Sequence, residues 1–280
     1  FVFGQLGFIG HDAGHNQVFH RARRNDLLGL CFNLLIAVSR SWWVDKHNRH
    51  HSDPNNPALD PDADFPMFAF SEDQAYSKMG VARLAVKYQA FILLPLMLFE
   101  GVNIRFNSVK FLVRNGKKAR YLYTESVFMA LHLVLYLAFL SYFLEPSYVV
   151  MFALVHQAAF GLYMGLSFAP NHKGMPFVEN MDYLHQQVIT SRNLLPNRLT
   201  DFFFGQLGCQ IEHHLFPTMP RKNLRQTQKI VKVFCQERSI PYYETSLLRS
   251  YQEILQHLHV VSASLRAPSD TPRETPPVSS

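Results

Sequence analysis

Histidine is the residue whose spacing in this 280-residue chain could do chemistry. There are 14 histidines, and three tight clusters hold half of them. His11 and His15 form HxxxH in HDAGH, and His47, His50 and His51 form HxxHH in HNRHH. Gln210, His213 and His214 form QxxHH in QIEHH. Residues three and four apart on a helix share one face, so each cluster can aim two imidazoles at a common point. At this histidine frequency about 0.7 HxxxH pairs arise by chance, against on the order of 0.03 for HxxHH. The conjunction of three clusters, each beside an apolar segment, points to one metal centre.

Imidazole suits zinc, copper, iron and nickel. A closed structural zinc site needs four ligands and usually includes cysteine. Seven box histidines exceed the ligand set of one ion, so two ions are expected. No Glu-x-x-His motif is present, which argues against the carboxylate-bridged di-iron bundle. Asp12, Asp45, Asp53 and Glu212 stand in or beside the boxes. Each is a candidate to accept a hydrogen bond from the second ring nitrogen of a ligand histidine.

The segments that must position these boxes are apolar. Residues 121–144 and 147–169 each exceed the roughly 20 residues that cross a bilayer. The link through Glu145 and Pro146 is so short that the two form a hairpin whose ends return to one side. Residues 105–120 carry Arg105, Lys110, Arg114, Lys117, Lys118 and Arg120 with no acidic residue, reading as a cytosolic loop. Residues 27–44 and 88–104 are apolar but interrupted, and an interfacial position for both puts every box on the cytosolic face. Residues 45–66 are polar and Pro/Asp-rich and read as loop after about residue 52, and 200–214 read as one helix stopped by Pro217 and Pro220. Residues 222–238 and 245–260 read as amphipathic helices. The expected architecture is all-α: an integral-membrane helical bundle with a cytosolic helical cap carrying a histidine-rich di-metal site. Residues 1–262 read as one domain and 263–280 as a disordered tail, with RAPSDTPRETPPVSS at its end. The chain opens without Met inside an apolar segment, which reads as an N-terminally truncated fragment.

Composition narrows the function classes. The chain is 48% hydrophobic, with a net charge of +6. Its basic residues flank apolar runs and accompany no nucleic-acid-binding motif, so the expected partner surface is a membrane and not nucleic acid. Cys31, Cys209 and Cys235 are distant from one another, which excludes a disulfide framework and a thiolate zinc site.

HDAGH, HNRHH and QIEHHLFPTMPR, in that order around an apolar hairpin, resemble the membrane fatty acid desaturase family over all of the chain except the tail. The resemblance implies two iron ions, dioxygen as co-substrate, two electrons per turnover from an external ferredoxin or cytochrome, and an acyl chain held in a tunnel. It makes His11, His15, His47, His50, His51, His213 and His214 metal ligands. His172 in APNHKG matches the family's further ligand after the hairpin, with Asn171 beside it. Gln210 in place of histidine looks like the front-end subgroup and occupies a ligand position, through its amide oxygen or through water. The acyl substrate is a CoA thioester or lipid-linked. One departure is that Gly205-Gln206-Leu207-Gly208 stands where the family often reads GGLN. No haem-binding His-Pro-Gly-Gly segment is visible.

The remaining residues carry blander readings. Trp42 and Trp43, just before the second box, are interfacial anchors or walls of the acyl tunnel. His132 and His156, inside the two spans, are placed to hydrogen-bond across the hairpin. His20 and His185 read as surface or as supports of the site, and His257 and His259 as solvated. A lipid hydroxylase or ketolase of the same superfamily is the alternative activity. A histidine-rich metal transporter is a third reading, disfavoured because 147–169 holds no charged residue.

Overall fold

The computed structural model describes residues 1–266, and their regular structure is almost wholly helical. The tail's last residues, 267–280, lie outside the described residues, and so does the expectation of disorder for them. Residues 263–266 correct that expectation at its start. Ala263–Leu265 form a 3-10 turn that buries Leu265 beside Val261 and Val86.

The first half of the chain runs α1 (Val2–Gly14), α2 (Ala22–Ile36), α3 (Arg40–Ser52), α4 (Glu72–Ser77), α5 (Gly80–Lys87), α6 (Gln89–Met97) and α7 (Glu100–Asn115). The long pair α8 (Leu122–Phe143) and α9 (Pro146–His172) follows. The second half is shorter-grained: α10 (Tyr183–Ile189), α11 (Arg198–Phe203), α12 (Gln210–Leu215), α13 (Arg221–Glu237) and α14 (Leu247–Val261). The only sheet among the described residues is a two-residue parallel pairing of β1 (Asn193–Leu194) with β2 (Glu244–Thr245).

α8 and α9 are long and apolar enough to cross a membrane, at 22 and 27 residues. At 1.5 Å per residue these span about 33 and 40 Å. Apolar side chains such as Val134, Phe139, Val150 and Leu154 point outward along them, a surface suited to hydrocarbon and not to water. Pro146 opens α9 at the position where its missing N–H costs nothing. The two interrupted apolar segments are sharply bent: α2 and α3 meet at 112°, and α5 and α6 at 104°. At the first bend Ala37 takes a left-handed conformation that ends α2. α7 and α9 cross with their backbones nearly touching. A side chain on Gly161 would meet Leu98 O and Gly101 N at 2.7 Å, and one on Gly101 would meet Gln157 O at 2.7 Å.

Three expectations change. Residues 105–115 are helix, not loop, because apolar Phe111 and Leu112 on α7 pack inward between the basic side chains. The predicted helix 200–214 is two helices, divided by a turn in which Gly205 and Gln206 both have φ near +60°. His132 and His156 do not bond one another. His132 Nδ1 lies 2.9 Å from Leu34 O on α2, whereas Tyr136 bonds His156 across the hairpin at 2.8 Å.

Glu125, fully buried in the first turn of α8, joins hairpin to cap. Its carboxylate accepts hydrogen bonds from Ser39 Oγ and Ser41 Oγ, both 2.5 Å, and from Ser41 N. These donors belong to the N-terminus of α3, where an anion is favoured by the helix dipole. The helix that carries HNRHH is thereby pinned to the membrane hairpin.

Candidate metal centre

Four elements deliver eight histidines to one end of the hairpin. α1 brings His11, and His15 caps it. α3 places His47, His50 and His51 along one side. α9 runs on from the membrane and ends at His172, while α12 brings His213 and His214. Seven of the eight are buried, and His47 is half-buried.

The nitrogens fall into two groups. In the first, His11, His15, His47 and His213 each offer a nitrogen within 4.8 Å of the others. His51 joins them, its Nε2 3.1 Å from both His47 Nε2 and His213 Nε2. In the second, His50, His172 and His214 converge in the same way, with His50 Nε2 and His172 Nε2 3.3 Å apart. The groups touch where the His51 and His214 rings stack at 4.1 Å.

Proton placement in the second group is fixed by chemistry. His172 Nδ1 lies 3.0 Å from the carbonyl of Thr190, which can only accept, so Nδ1 carries the hydrogen and Nε2 a lone pair. His50 Nδ1 faces both oxygens of buried Asp60, at 3.0 and 2.9 Å. Gln187 donates its amide nitrogen to His51 O, which turns its amide oxygen to His214 Nδ1 at 2.8 Å. Three Nε2 lone pairs therefore point into one space, where the Gln210 amide nitrogen, 2.9 Å from His172 Nε2, can serve only one of them and a cation would serve all three. Two nitrogens bound at about 2.1 Å to one ion at right angles lie about 3 Å apart, close to the separations here. His15 Nε2 and His214 Nε2 are buried without a hydrogen-bond partner among the described residues. The donor set thus fits two closely placed metal ions with imidazole ligands.

Burial and the neighbouring imidazoles keep His15, His47, His51, His172, His213 and His214 neutral. Desolvation, then His11 and His50, lower the His15 pKa to about 2. His213 and His214 are held well below the ordinary value, again chiefly by desolvation. Neutral imidazole is the form that binds metal.

The other sequence candidates separate. Gln210 is at the second group, its amide nitrogen 2.9 Å from His172 Nε2 and its buried oxygen without a hydrogen-bond partner among the described residues. Asp12 stands 3.5 Å from His11 Nδ1 and pairs with Arg221 at 2.6 Å. Asp45 meets no histidine; it pairs with Arg49 one turn along α3, at 3.3 Å on the outer side. Glu212 also holds no ring. Burial raises its pKa, and its carboxylate accepts from Asn193 Nδ2 and Tyr242 OH, both 2.8 Å, which fastens α12 to the small sheet. Asn171 is buried with its side-chain oxygen unpartnered, while its backbone carbonyl accepts from Arg192 N at 2.9 Å. Trp43 stacks on His47 at 4.4 Å and lies 5.3 Å from His11, a wall of the first group. Trp42 turns away to pack against the cluster of Phe111, Leu112 and Ala119. His20 and His259 are exposed, and His185 pairs with Asp182 at the surface. His257 is not solvated as expected: it is half-buried, 3.0 Å from Phe70 O.

Sequence reasoning missed Asp60, Gln187, Thr190 and Arg192. Asp60 sits in a Pro/Asp-rich stretch that reads as surface loop, yet its side chain is fully enclosed and also accepts from Asn55 N and Asp62 N. Arg192, 1% exposed, binds the carbonyls of Pro170 and Lys173 and thereby closes the end of α9 around His172. A lone polar residue in a non-repeating segment gives no sequence signal for such roles.

The sequence profile named Fatty acid desaturase matches residues 1–246. A Delta(6)-fatty-acid desaturase of Caenorhabditis elegans is 31% identical over 94% of the chain and 63% of its own length. A Delta(8)-fatty-acid desaturase of Euglena gracilis is 32% identical over 86% of the chain and 60% of its own length. An acyl-lipid (9-3)-desaturase of Physcomitrium patens is 29% identical over 93% of the chain and 51% of its own length. The chain thus spans about half to three-fifths of the length of these relatives.

Proposed function

The chain belongs to the fatty acid desaturase family, and from that premise we propose that it is an oxygen-dependent, front-end fatty acyl desaturase with a histidine-ligated di-iron centre. The observation that carries this reading is the convergence of imidazole nitrogens in two adjoining groups at the end of the membrane hairpin. His11, His15, His47, His51 and His213 would hold one iron. His50, His172 and His214 would hold the other, with Gln210 beside them. Two irons held there would supply the activation of dioxygen; two hydrogens from neighbouring methylenes, with two donor electrons and two protons, account for its reduction to two waters and leave a cis double bond.

The chain's own contribution is position and dryness. Thr190, Asp60 and Gln187 hold three imidazoles in one tautomer and orientation. Trp43 and Gly14, packed so closely that a side chain on Gly14 would overlap the indole, close the site beside His47. Neutral ligands buried from water keep competing protons away from the centre. The substrate is an acyl chain presented from the membrane as a CoA thioester or a lipid, and the electrons come from a ferredoxin or cytochrome. The basic side chains of residues 105–120 support a cytosolic position for this end of the hairpin.

Fatty acid profiling of a host expressing the protein, fed linoleate with and without oxygen, tests the proposal. A product two hydrogens lighter, with the new double bond on the carboxyl side, is expected only in the aerobic culture. A product that gains an oxygen atom, or a double bond formed without oxygen, rejects it.

A further inference from the structure

The two nitrogen groups are built differently. Each imidazole of the second group has its far nitrogen committed to a buried acceptor: Asp60 for His50, the Thr190 carbonyl for His172 and Gln187 Oε1 for His214. Asp60 and Gln187 are themselves immobilised. Asp60 accepts from two backbone N–H groups at 2.8 Å, and Gln187 donates to His51 O at 3.1 Å. All three supports are nearly or wholly inaccessible. In the first group, among the described residues, only His11 has an acceptor near its far nitrogen. That is Asp12 at 3.5 Å, and Asp12 is shared with Arg221. His51 Nδ1 is buried and unpartnered. His47 and His213 meet His51 only through the Nε2 atoms that face one another.

An imidazole whose tautomer is fixed needs no rearrangement to bind a cation, and a carboxylate on its far N–H makes the other nitrogen a stronger donor. An imidazole without such a partner must select a tautomer and a ring orientation when the metal arrives. Resting on the di-metal reading above, we propose that the two positions fill in order. The His50–His172–His214 position is preorganised and takes the first ion. The position with more imidazoles takes the second, once the first has neutralised the crowded lone pairs next to it. Asp60 and Gln187 are positioning residues for the first ion.

Stepwise addition of cobalt(II) to the metal-depleted protein tests this, with binding followed by the visible cobalt spectrum and by calorimetry. The expected wild-type result is two ions, the first bound at least about tenfold more tightly. Asp60→Asn and Gln187→Met should each weaken the first ion by about 10–100-fold, the usual effect of removing such a partner. His15→Ala should leave the first ion's affinity and spectrum unchanged and abolish the second. His214→Ala should remove the high-affinity step. Near-isosteric Asp60→Asn keeps the enclosed loop in place, and a melting curve on the same sample reports whether it has. Two ions of equal affinity, or a first ion lost in His15→Ala but kept in His214→Ala, overturn the order and leave the di-metal reading standing. Uptake of fewer than two ions by the wild type overturns both.

Discussion

The histidines of the membrane hairpin and those of the cap are one chemical group with two outcomes. His132 and His156 are each settled by a single neighbour, Leu34 O for one and Tyr136 OH for the other, with the Phe3 ring lying against both. In the cap, eight imidazoles crowd so closely that their nitrogens face one another at 3.1 to 3.3 Å and some buried nitrogens have no partner. A histidine inside a membrane is therefore not a ligand by virtue of depth or rarity. It becomes one when several lone pairs are aimed at one point and the far nitrogens are occupied elsewhere.

The largest expected effect that could break this contrast comes from exchanging one member of each set. On the proposed reading, His50→Ala should lower product by more than about 100-fold and reduce bound iron, since it would remove a ligand and leave buried Asp60 without its imidazole partner. His132→Ala should change neither. Fatty acid profiling together with metal analysis of the purified proteins reads both, and an iron-replete, active His50→Ala protein would remove that residue from the centre.

Acid is the next lever. An unfolded imidazole takes up a proton near pH 6.5, whereas folded His15 resists until about 2, and His213 and His214 are also depressed. Between those limits the unfolded chain binds more protons, so stability rises with pH. The contribution is intact above about 6.5 and declines progressively as pH falls below it. Melting temperatures of the metal-depleted protein should drop steadily from pH 7.5 to 5.5, and a flat profile would mean that these imidazoles are hydrated.

The smallest effect sharpens the hairpin side. Tyr136→Phe deletes the hydroxyl that serves His156 and should cost about 1 kcal/mol in denaturant or thermal unfolding. Bound metal should not change. Loss of iron in this variant would tie the intramembrane histidines to the centre after all.

The helical architecture, the hairpin and the box histidines were legible in the sequence because each is a local signal. Apolar length marks a span, and i, i+3 or i, i+4 spacing marks a shared helical face. His172 was legible only through family resemblance, since a single histidine after a span has no spacing to betray it. The turn at Gly205-Gln206 was hidden, because Gln206 adopts a left-handed backbone that its side chain does not announce. Asp45 and Glu212 were misassigned for a related reason. Nearness in sequence put them beside histidines, but Asp45 lies on the outer side of α3, and Glu212 turns toward β1 and β2.

By itself the sequence determined that imidazoles would be presented in pairs beside a membrane hairpin, because helical periodicity and hydrophobic length act within a few residues. Only the tertiary structure decided which imidazoles share a group and which way each ring is protonated. Those outcomes depend on acceptors such as Asp60, Thr190 and Gln187, which stand 10, 18 and 27 residues from the rings they hold. A hydrogen bond is fixed by folded distance, and no local pattern encodes that.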